Sequence, residues 1–301
     1  MLLIFNNGLY LSDCDKFYKN DDIPEKFKQF IDKECTYDSH ENFVSKVYLD
    51  FNFEVYSSNI VSEILIKKKK IPKSICNLIS SYHNNWYNIP TPTLDQILDN
   101  NLNSNQKVVF YILLGRIFHQ FARKENWNIV PIFFDKSGMF IHFIQSILGG
   151  TRLCVGRGIE HIITDGDIWL GIVSILTCNG TSPKSLSNII TKIINGNPLS
   201  ISRILYNEQN FILEDLNIIF IQELRNEKNS NNFQQDIKLI LENKIQSGNV
   251  IYFNFKSNDN NVHNISNLIK EFPLFIQKTN RAYIQAANSE YSELDMLKLM
   301  S

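Results

Sequence analysis

The 301-residue chain lacks a charge imbalance. Thirty Lys and Arg stand against thirty-one Asp and Glu, a formal net charge of -1. That excludes a global pull toward nucleic acid or an anionic membrane, so any such binding has to come from a local patch. A cysteine framework is also missing. Cys14, Cys35, Cys76, Cys154 and Cys178 are odd in number, scattered, and form no C-x-x-C pair. This speaks against a disulfide scaffold or zinc site and for reduced thiols. No two of the six histidines are spaced i, i+4, so no metal site is expected. There is no G-x-S-x-G and no Cys/His nucleophile signature. No apolar run approaches a membrane span. The opening "MLLIFNNGLYLSDCD" has neither a basic n-region nor a cleavage site and reads as a first strand, not a signal peptide. No internal repeat and no Gly/Ser-rich linker appears, and alanine is scarce. The expectation is a protein that is neither secreted nor membrane-bound.

What is present fits a globular α/β protein. The apolar fraction is 44% and the charged fraction 20%, and the length allows two domains. Strand patterns cover 2–11 and 43–56; helical ones cover 24–33, starting at Pro24, and 59–66. "WYNIPTPTLDQIL" holds two prolines in an extended segment, after which Thr93 is positioned to cap a helix from Leu94. Residues 105–122 carry apolar side chains at helical spacing. Beyond them, strands at 129–134, 152–155, 168–176, 216–221 and 249–255 alternate with helices at 138–148, 183–195, 233–245 and 264–287. Such alternation predicts a mainly parallel sheet. The reading is a smaller mixed α+β or helical domain over 1–104, followed by an α/β domain over 105–301.

The stretch "NWNIVPIFFDKSGMFIHFIQSILGG" raises the functional question. An apolar strand, Ile129 to Phe134, runs into a polar turn with one glycine and then an apolar helix. That is the layout of a phosphate-binding loop, but the Lys and Ser/Thr such a loop needs are absent.

Several stretches occur together and in order: "FNNGLYLSDCDKFYK", "WYNIPTPTLDQILD", "VFYILLGRIFHQFARKENWNIVPIFF", "KIINGNPLSISRIL" and "PLFIQKTNRAYIQA". Together, over roughly residues 1–290, they resemble the helicase half of the primase–helicases of large DNA viruses, the superfamily three helicases of poxvirus type. The resemblance implies an AAA+-like, P-loop NTPase-type domain after an N-terminal region, and hexameric ATPases that translocate on DNA.

The family loop reads G-x-x-G-x-G-K-[ST]. Its positions fall on Asp135, Lys136, Ser137, Gly138, Met139, Phe140, Ile141 and His142, and only Gly138 matches. Ile141 stands where the lysine belongs and His142 where the Mg²⁺-ligating hydroxyl belongs. Lys136, on the turn, is poorly placed to substitute. The strand near "DIWLGIVSILT" carries Ser174 and Thr177 where the resemblance implies carboxylates; Asp165 and Asp167 precede that strand and read as turn residues. Gln222 falls at the sensor position. Gly248 and Asn249 fall where the family has arginines, and no guanidinium is left to act as a finger.

The expected function is that of a catalytically degenerate superfamily three helicase-like protein. It would be a non-hydrolysing accessory or assembly factor in viral DNA replication, sited in the host cytoplasm or nucleus. No cofactor is expected. ATP and Mg²⁺ enter only under a second reading, an ATP-dependent helicase subunit completed by active partner subunits. A third reading is a structural or virion protein reusing the scaffold. The partners implied are an intact helicase paralogue or further copies of the chain. DNA could be met through the basic run Lys67, Lys68, Lys69 and Lys70 or through Arg203 of "SISRIL", although a solvated loop and a surface arginine are equally good readings. Met139, Phe140, Ile141 and Phe143 are expected to be buried, since each is worth roughly 1.5–3 kcal/mol when removed from water.

Overall fold

The computed structural model describes residues 2–28, 46–56, 86–119, 127–136, 138–148, 154–158, 175–180, 183–195, 199–203, 206–211, 218–223, 233–245, 249–255, 262–289 and 291–300. The fold is mixed α/β. Two compact units form, the first from Met1–Asn126 with Asn267–Ser301 and the second from Trp127–Ser266. The division thus falls after residue 126 and again after 266, rather than near residue 105.

The first unit opens with strands β1 (Leu2–Phe5) and β2 (Gly8–Leu11), an antiparallel pair closed by Asn6 and Asn7. A 3-10 turn over Ser12–Cys14 leads to β3 (Lys16–Lys19), which pairs with β2. Helix α1 is described over Glu25–Lys28, and β4 (Lys46–Leu49) runs parallel to β1, giving the order β3-β2-β1-β4. Phe53, buried, gathers the rings of Phe5, Tyr10 and Phe17 at centroid distances of 4.7, 4.8 and 4.8 Å. The expected helix over 59–66 lies outside the described residues.

Helix α2 spans Pro92–Asn101, so its cap position is Thr91 and not Thr93. Pro92 sets the first turn, having no N–H to satisfy. The N–H groups of Thr93 and Leu94 donate to the two carboxylate oxygens of Glu271, at 2.8 and 3.1 Å. Helix α3 (Ser104–Gly115) starts with a capping box, Asn103 accepting from Gln106 N–H at 2.9 Å and Gln106 accepting from Asn103 N–H at 3.0 Å. It then tightens into a 3-10 turn over Arg116–His119, where an uninterrupted helix to 122 was expected.

The second unit holds a five-stranded sheet. Its strands are β5 (Ile129–Asp135), β6 (Cys154–Gly158), β7 (Ile175–Gly180), β10 (Ile218–Glu223) and β11 (Asn249–Phe255). Every pair is parallel, in the order β11-β5-β10-β7-β6. Counting only these strands along the chain, the order is 5-1-4-3-2. The first strand is central, and Ile132, Phe133 and Phe134 are fully buried, as expected of a parallel strand covered on both faces. Helices α4 (Met139–Leu148), α5 (Pro183–Ile194) and α6 (Phe233–Lys244) lie between strands, and β8 (Leu199–Arg203) pairs antiparallel with β9 (Tyr206–Phe211) as a separate ribbon. Sequence patterning missed β9: "YNEQNF" is too polar to read as a strand. Of the strand expected over 168–176, residues 168–174 lie outside the described residues; β7 is described over Ile175–Gly180, and ladder bonds to β6 and β10 carry it past residue 176.

Helix α7 (Val262–Asn288) is 27 residues long with Pro273 inside it, and α8 (Glu293–Met300) follows. In α7 five consecutive residues, Gln277 to Arg281, are polar, and the first four are buried. Gln277 receives Tyr56 N–H at 2.9 Å and donates to the Glu54 carbonyl at 2.7 Å. Lys278 donates to Thr91 Oγ1 and to both Asp95 oxygens, each at 2.9 Å, with its ammonium 4.7 Å from the Tyr111 ring centre. Arg281 meets Asp15 at 2.5 Å. Burial, with Asp95 beside it, holds the Tyr111 hydroxyl well above its ordinary pKa, so it remains a donor to Asp95.

Helices α3 and α7 touch at Gly115, which explains why α3 belongs to the first unit. A Cβ there would lie 2.1 Å from the Thr279 carbonyl oxygen and 2.6 Å from Tyr283 Cβ. Gly115→Ala is therefore expected to destabilise the protein by about 1–3 kcal/mol, as overpacking does. Denaturant unfolding checks it; a midpoint equal to the parent's would contradict the close approach.

Candidate functional site

The sheet order places the loop after β5 at a topological switch. The chain leaves β5 toward β6 on one side, while β10 sends it across β5 to β11 on the other. In open α/β sheets, ligands bind outside the carboxyl ends of the strands at such a point.

The loop is built by three residues. Gly138 adopts φ 71°, a left-handed conformation that strains any side chain. Its N–H donates to the Asp135 carbonyl at 3.2 Å, and its own carbonyl accepts from His142 N–H at 2.8 Å, which starts α4. A glycine in the capping position offers no side-chain acceptor, so the first turn of α4 needs another. Asp135, the last residue of β5 and fully buried, supplies it: Oδ2 accepts the Ile141 N–H at 3.0 Å. A carboxylate is the favoured group against the positive end of a helix. Lys136 is exposed, its N–H donating to the Phe255 carbonyl at 3.2 Å. Ser137 lies outside the described residues.

The underside of the loop is apolar. Met139, Phe140, Ile141, Phe143 and Ile144 are all at most 5% exposed, while His142 points out. Phe140 packs on Phe255 with centroids 4.4 Å apart. Phe133 stacks on Phe253 at 4.7 Å and on Phe255 at 6.1 Å. Side chains alternate along a strand, so Phe134 lies on the other face. There it meets Tyr252 at 6.0 Å, under the Lys238 ammonium of α6. Burial, with a smaller contribution from Glu242, pushes the Tyr252 hydroxyl up to about 12.

The remaining predicted positions divide. Gln222 follows Ile221, which pairs with Phe134, so it is level with Asp135 at the carboxyl edge of the sheet. Glu223 comes next on β10, paired with Gly180. Sequence comparison passed over Glu223, a carboxylate at that edge. Thr177 lies within β7 and not at its end, which is formed by Asn179 and Gly180; Ser174 lies outside the described residues. Asn249 pairs with Ile129 and donates to the Asn128 carbonyl at 2.7 Å, at the opposite end of the sheet from the loop. Gly248 and Lys67 to Lys70 lie outside the described residues. Arg203 ends β8 and pairs with Tyr206, the first residue of β9. Among the described residues, no cluster of three or more His, Cys, Asp or Glu could hold a metal ion, and no helix is long and apolar enough to cross a membrane.

No protein-family model matches the chain, and no curated protein does. Among solved structures, an apo A form of the NrS-1 C-terminal region is 12% identical at a TM-score of 0.39, with 77% of this chain and 52% of that chain covered. A second apo A-form structure of that region is also 12% identical, at a TM-score of 0.40, covering 100% of this chain and 72% of that one. A JCV helicase bound to a thiazolopyridine-phenoxyphenyl acetamide is 12% identical at a TM-score of 0.28, with coverages of 78% and 75%. The chain spans about half the length of the first of these structures.

The packing makes a specific prediction. Phe140→Ala is expected to cost about 3–5 kcal/mol, the range for deleting a buried aromatic side chain. Ile141→Lys is expected to lower the melting temperature, because an ammonium would enter an apolar environment. An unchanged melting temperature for Ile141→Lys would mean that the position opens to water.

Proposed function

We propose that the chain is a catalytically degenerate relative of the superfamily three helicases, with an AAA+-type second unit, acting as a non-hydrolysing accessory or assembly factor in the DNA replication of a large DNA virus. The parallel sheet order 5-1-4-3-2, with the loop-bearing strand between the last and the fourth, supports that reading by setting the loop at a switch point of an α/β sheet. The carrying observation is Asp135, whose carboxylate accepts the Ile141 N–H inside the loop. A phosphate about 4 Å from that carboxylate would meet roughly 4 kcal/mol of repulsion at an effective dielectric near 20. No lysine stands at the loop position to offset it, since Ile141 is buried there.

Isothermal titration of the full chain with ATP·Mg²⁺ is expected to give no binding at micromolar nucleotide. A micromolar dissociation constant, about -8 kcal/mol, would refute the reading. ATP turnover that appears only after mixing with an intact helicase would instead favour a subunit completed by its partners.

Nucleic acid contact is proposed through Lys67–Lys70 and Arg203. Arg203 and Tyr206 are register partners in the β8–β9 ribbon, a basic and an aromatic residue at paired positions. If all four lysines neutralise phosphates on single-stranded DNA, changing them to Gln should reduce the slope of log K against log salt by about 3, at about 0.7 per phosphate. Fluorescence anisotropy across a salt series measures it; an unaltered slope removes the basic run from the interface.

A further inference from the structure

Asn280 joins four segments of the first unit. Its Nδ2 donates to the Ser12 carbonyl at 2.9 Å and to the Tyr10 hydroxyl at 2.7 Å. A carbonyl oxygen only accepts, which fixes the orientation of the amide. Asn280 Oδ1 therefore faces His119 Nε2, 2.6 Å away, and Nε2 must carry a hydrogen. On the other side of the ring, Nδ1 faces Asp13 Oδ1 at 3.5 Å. A neutral His119 would turn a bare lone pair toward that carboxylate, whereas an imidazolium presents an N–H to each acceptor.

Three contacts favour the charged ring. Asp13 faces Nδ1, although about half of its side chain is exposed and its field is screened accordingly. The Tyr283 ring lies against the imidazole at a centroid distance of 4.3 Å, within reach of a cation–π attraction. The 2.6 Å bond to Asn280 is shorter than the roughly 2.9–3.0 Å usual for neutral N–H···O pairs. Two things oppose: the ring is buried, and Arg116 sits three residues back on the same 3-10 turn. The other charged groups on these elements are engaged elsewhere, Asp15 with Arg281 and Lys278 with Asp95. Tyr10 is held neutral by burial and by Asp15.

We propose that His119 is a proton-operated latch: as an imidazolium it holds Asp13 of the turn Ser12–Cys14 through Nδ1 while Nε2 stays on Asn280 of α7, and loss of the Nδ1 proton releases the Asp13 end. A histidine whose charged form is favoured by folding contributes stability that is fully present below its unfolded pKa and is lost as pH rises through its folded pKa. The first unit should therefore loosen on the alkaline side of neutrality.

Long-range ¹H–¹⁵N NMR of the full chain, titrated from acid to mild alkali, tests this, with His119→Gln assigning the signal. The expected midpoint lies above about 6.5, the ordinary histidine value, with the proton left on Nε2 after titration. Asp13→Asn is expected to lower the midpoint. Amide exchange of residues 12–14 is expected to speed up through the same midpoint, by about tenfold per unit that the midpoint is raised, and this step should vanish in His119→Gln. A midpoint at or below 6.5, a proton left on Nδ1, or an exchange step that survives in His119→Gln would overturn the latch. Should His119→Gln fail to fold, Asp13→Asn at the half-exposed position decides: an unmoved midpoint overturns it as well.

Discussion

Five polar side chains in a row on one helix cannot share a face. Successive residues of an α-helix are turned by about 100°, so Gln277 to Arg281 point all the way around α7. Four of them are buried. Each needs a partner, because a buried polar group without one costs about 1–3 kcal/mol, more if it is charged. The first unit is arranged around that requirement. Gln277 holds the extended segment at Glu54 and Tyr56; Lys278 holds the first turn of α2; Asn280 holds β2, the Ser12 turn and His119; Arg281 holds Asp15. Thr279 returns its hydroxyl to the Phe275 carbonyl of its own helix. Asp15 is itself left-handed at φ 51°, which costs a non-glycine residue on the order of 1–2 kcal/mol. Its carboxylate gains two partners there, the Tyr10 hydroxyl at 2.6 Å and Arg281. Buried pairs of this kind contribute modestly to net stability, but removing one partner is costly. They select one arrangement of strands and helices over others of similar apolar burial.

The second unit meets a different constraint. A parallel sheet buried on both faces wants long apolar runs, and the carboxyl ends of its strands want a helix started in a short loop. Gly138 turns the chain and, being glycine, cannot cap α4. Asp135 caps it from the strand end. The chain thus supplies, from the end of β5, the carboxylate that the first turn of α4 needs.

The parts legible in the sequence were those with strong local signals. Ile129 to Phe134 announces a buried strand, Met139 to Leu148 an apolar helix, and the alternation around them a parallel sheet. The parts that were not legible depend on distant partners. Glu271 caps α2 from 177 and 178 residues away, and this overrode the reading of Thr93 as cap. Ladder pairing carries β7 to Gly180, past the expected end at residue 176, because hydrogen bonds and not hydropathy set that end. The polar β9 has only its pairing with β8 to make it a strand. At the loop, the burial of Met139, Phe140, Ile141 and Phe143 was legible from their apolar side chains, but the role of Asp135 was not. An aspartate at a strand end reads as a turn residue until the Ile141 N–H is seen on its carboxylate.

Under the proposed reading, an isoleucine in place of the loop lysine and an aspartate against the helix would act on a phosphate through separate terms of comparable size. A micromolar nucleotide complex is worth about -8 kcal/mol. Roughly 4 kcal/mol of repulsion from a carboxylate would leave about half, a millimolar complex, so the aspartate alone weakens binding without abolishing it. Removing the lysine withdraws an attraction of similar order, and the two together consume the whole. The apolar packing acts separately, through space and not charge. Phe140 lies on Phe255, and Ile141 is buried where an ammonium would have to emerge. Restoring a single residue would therefore leave two of the three obstacles in place. The sheet stands apart from all three, since its pairing involves backbone groups and the rings of Phe133, Phe134, Tyr252 and Phe253. A scaffold whose stability resides there can keep its strand order whatever chemistry the strand ends carry.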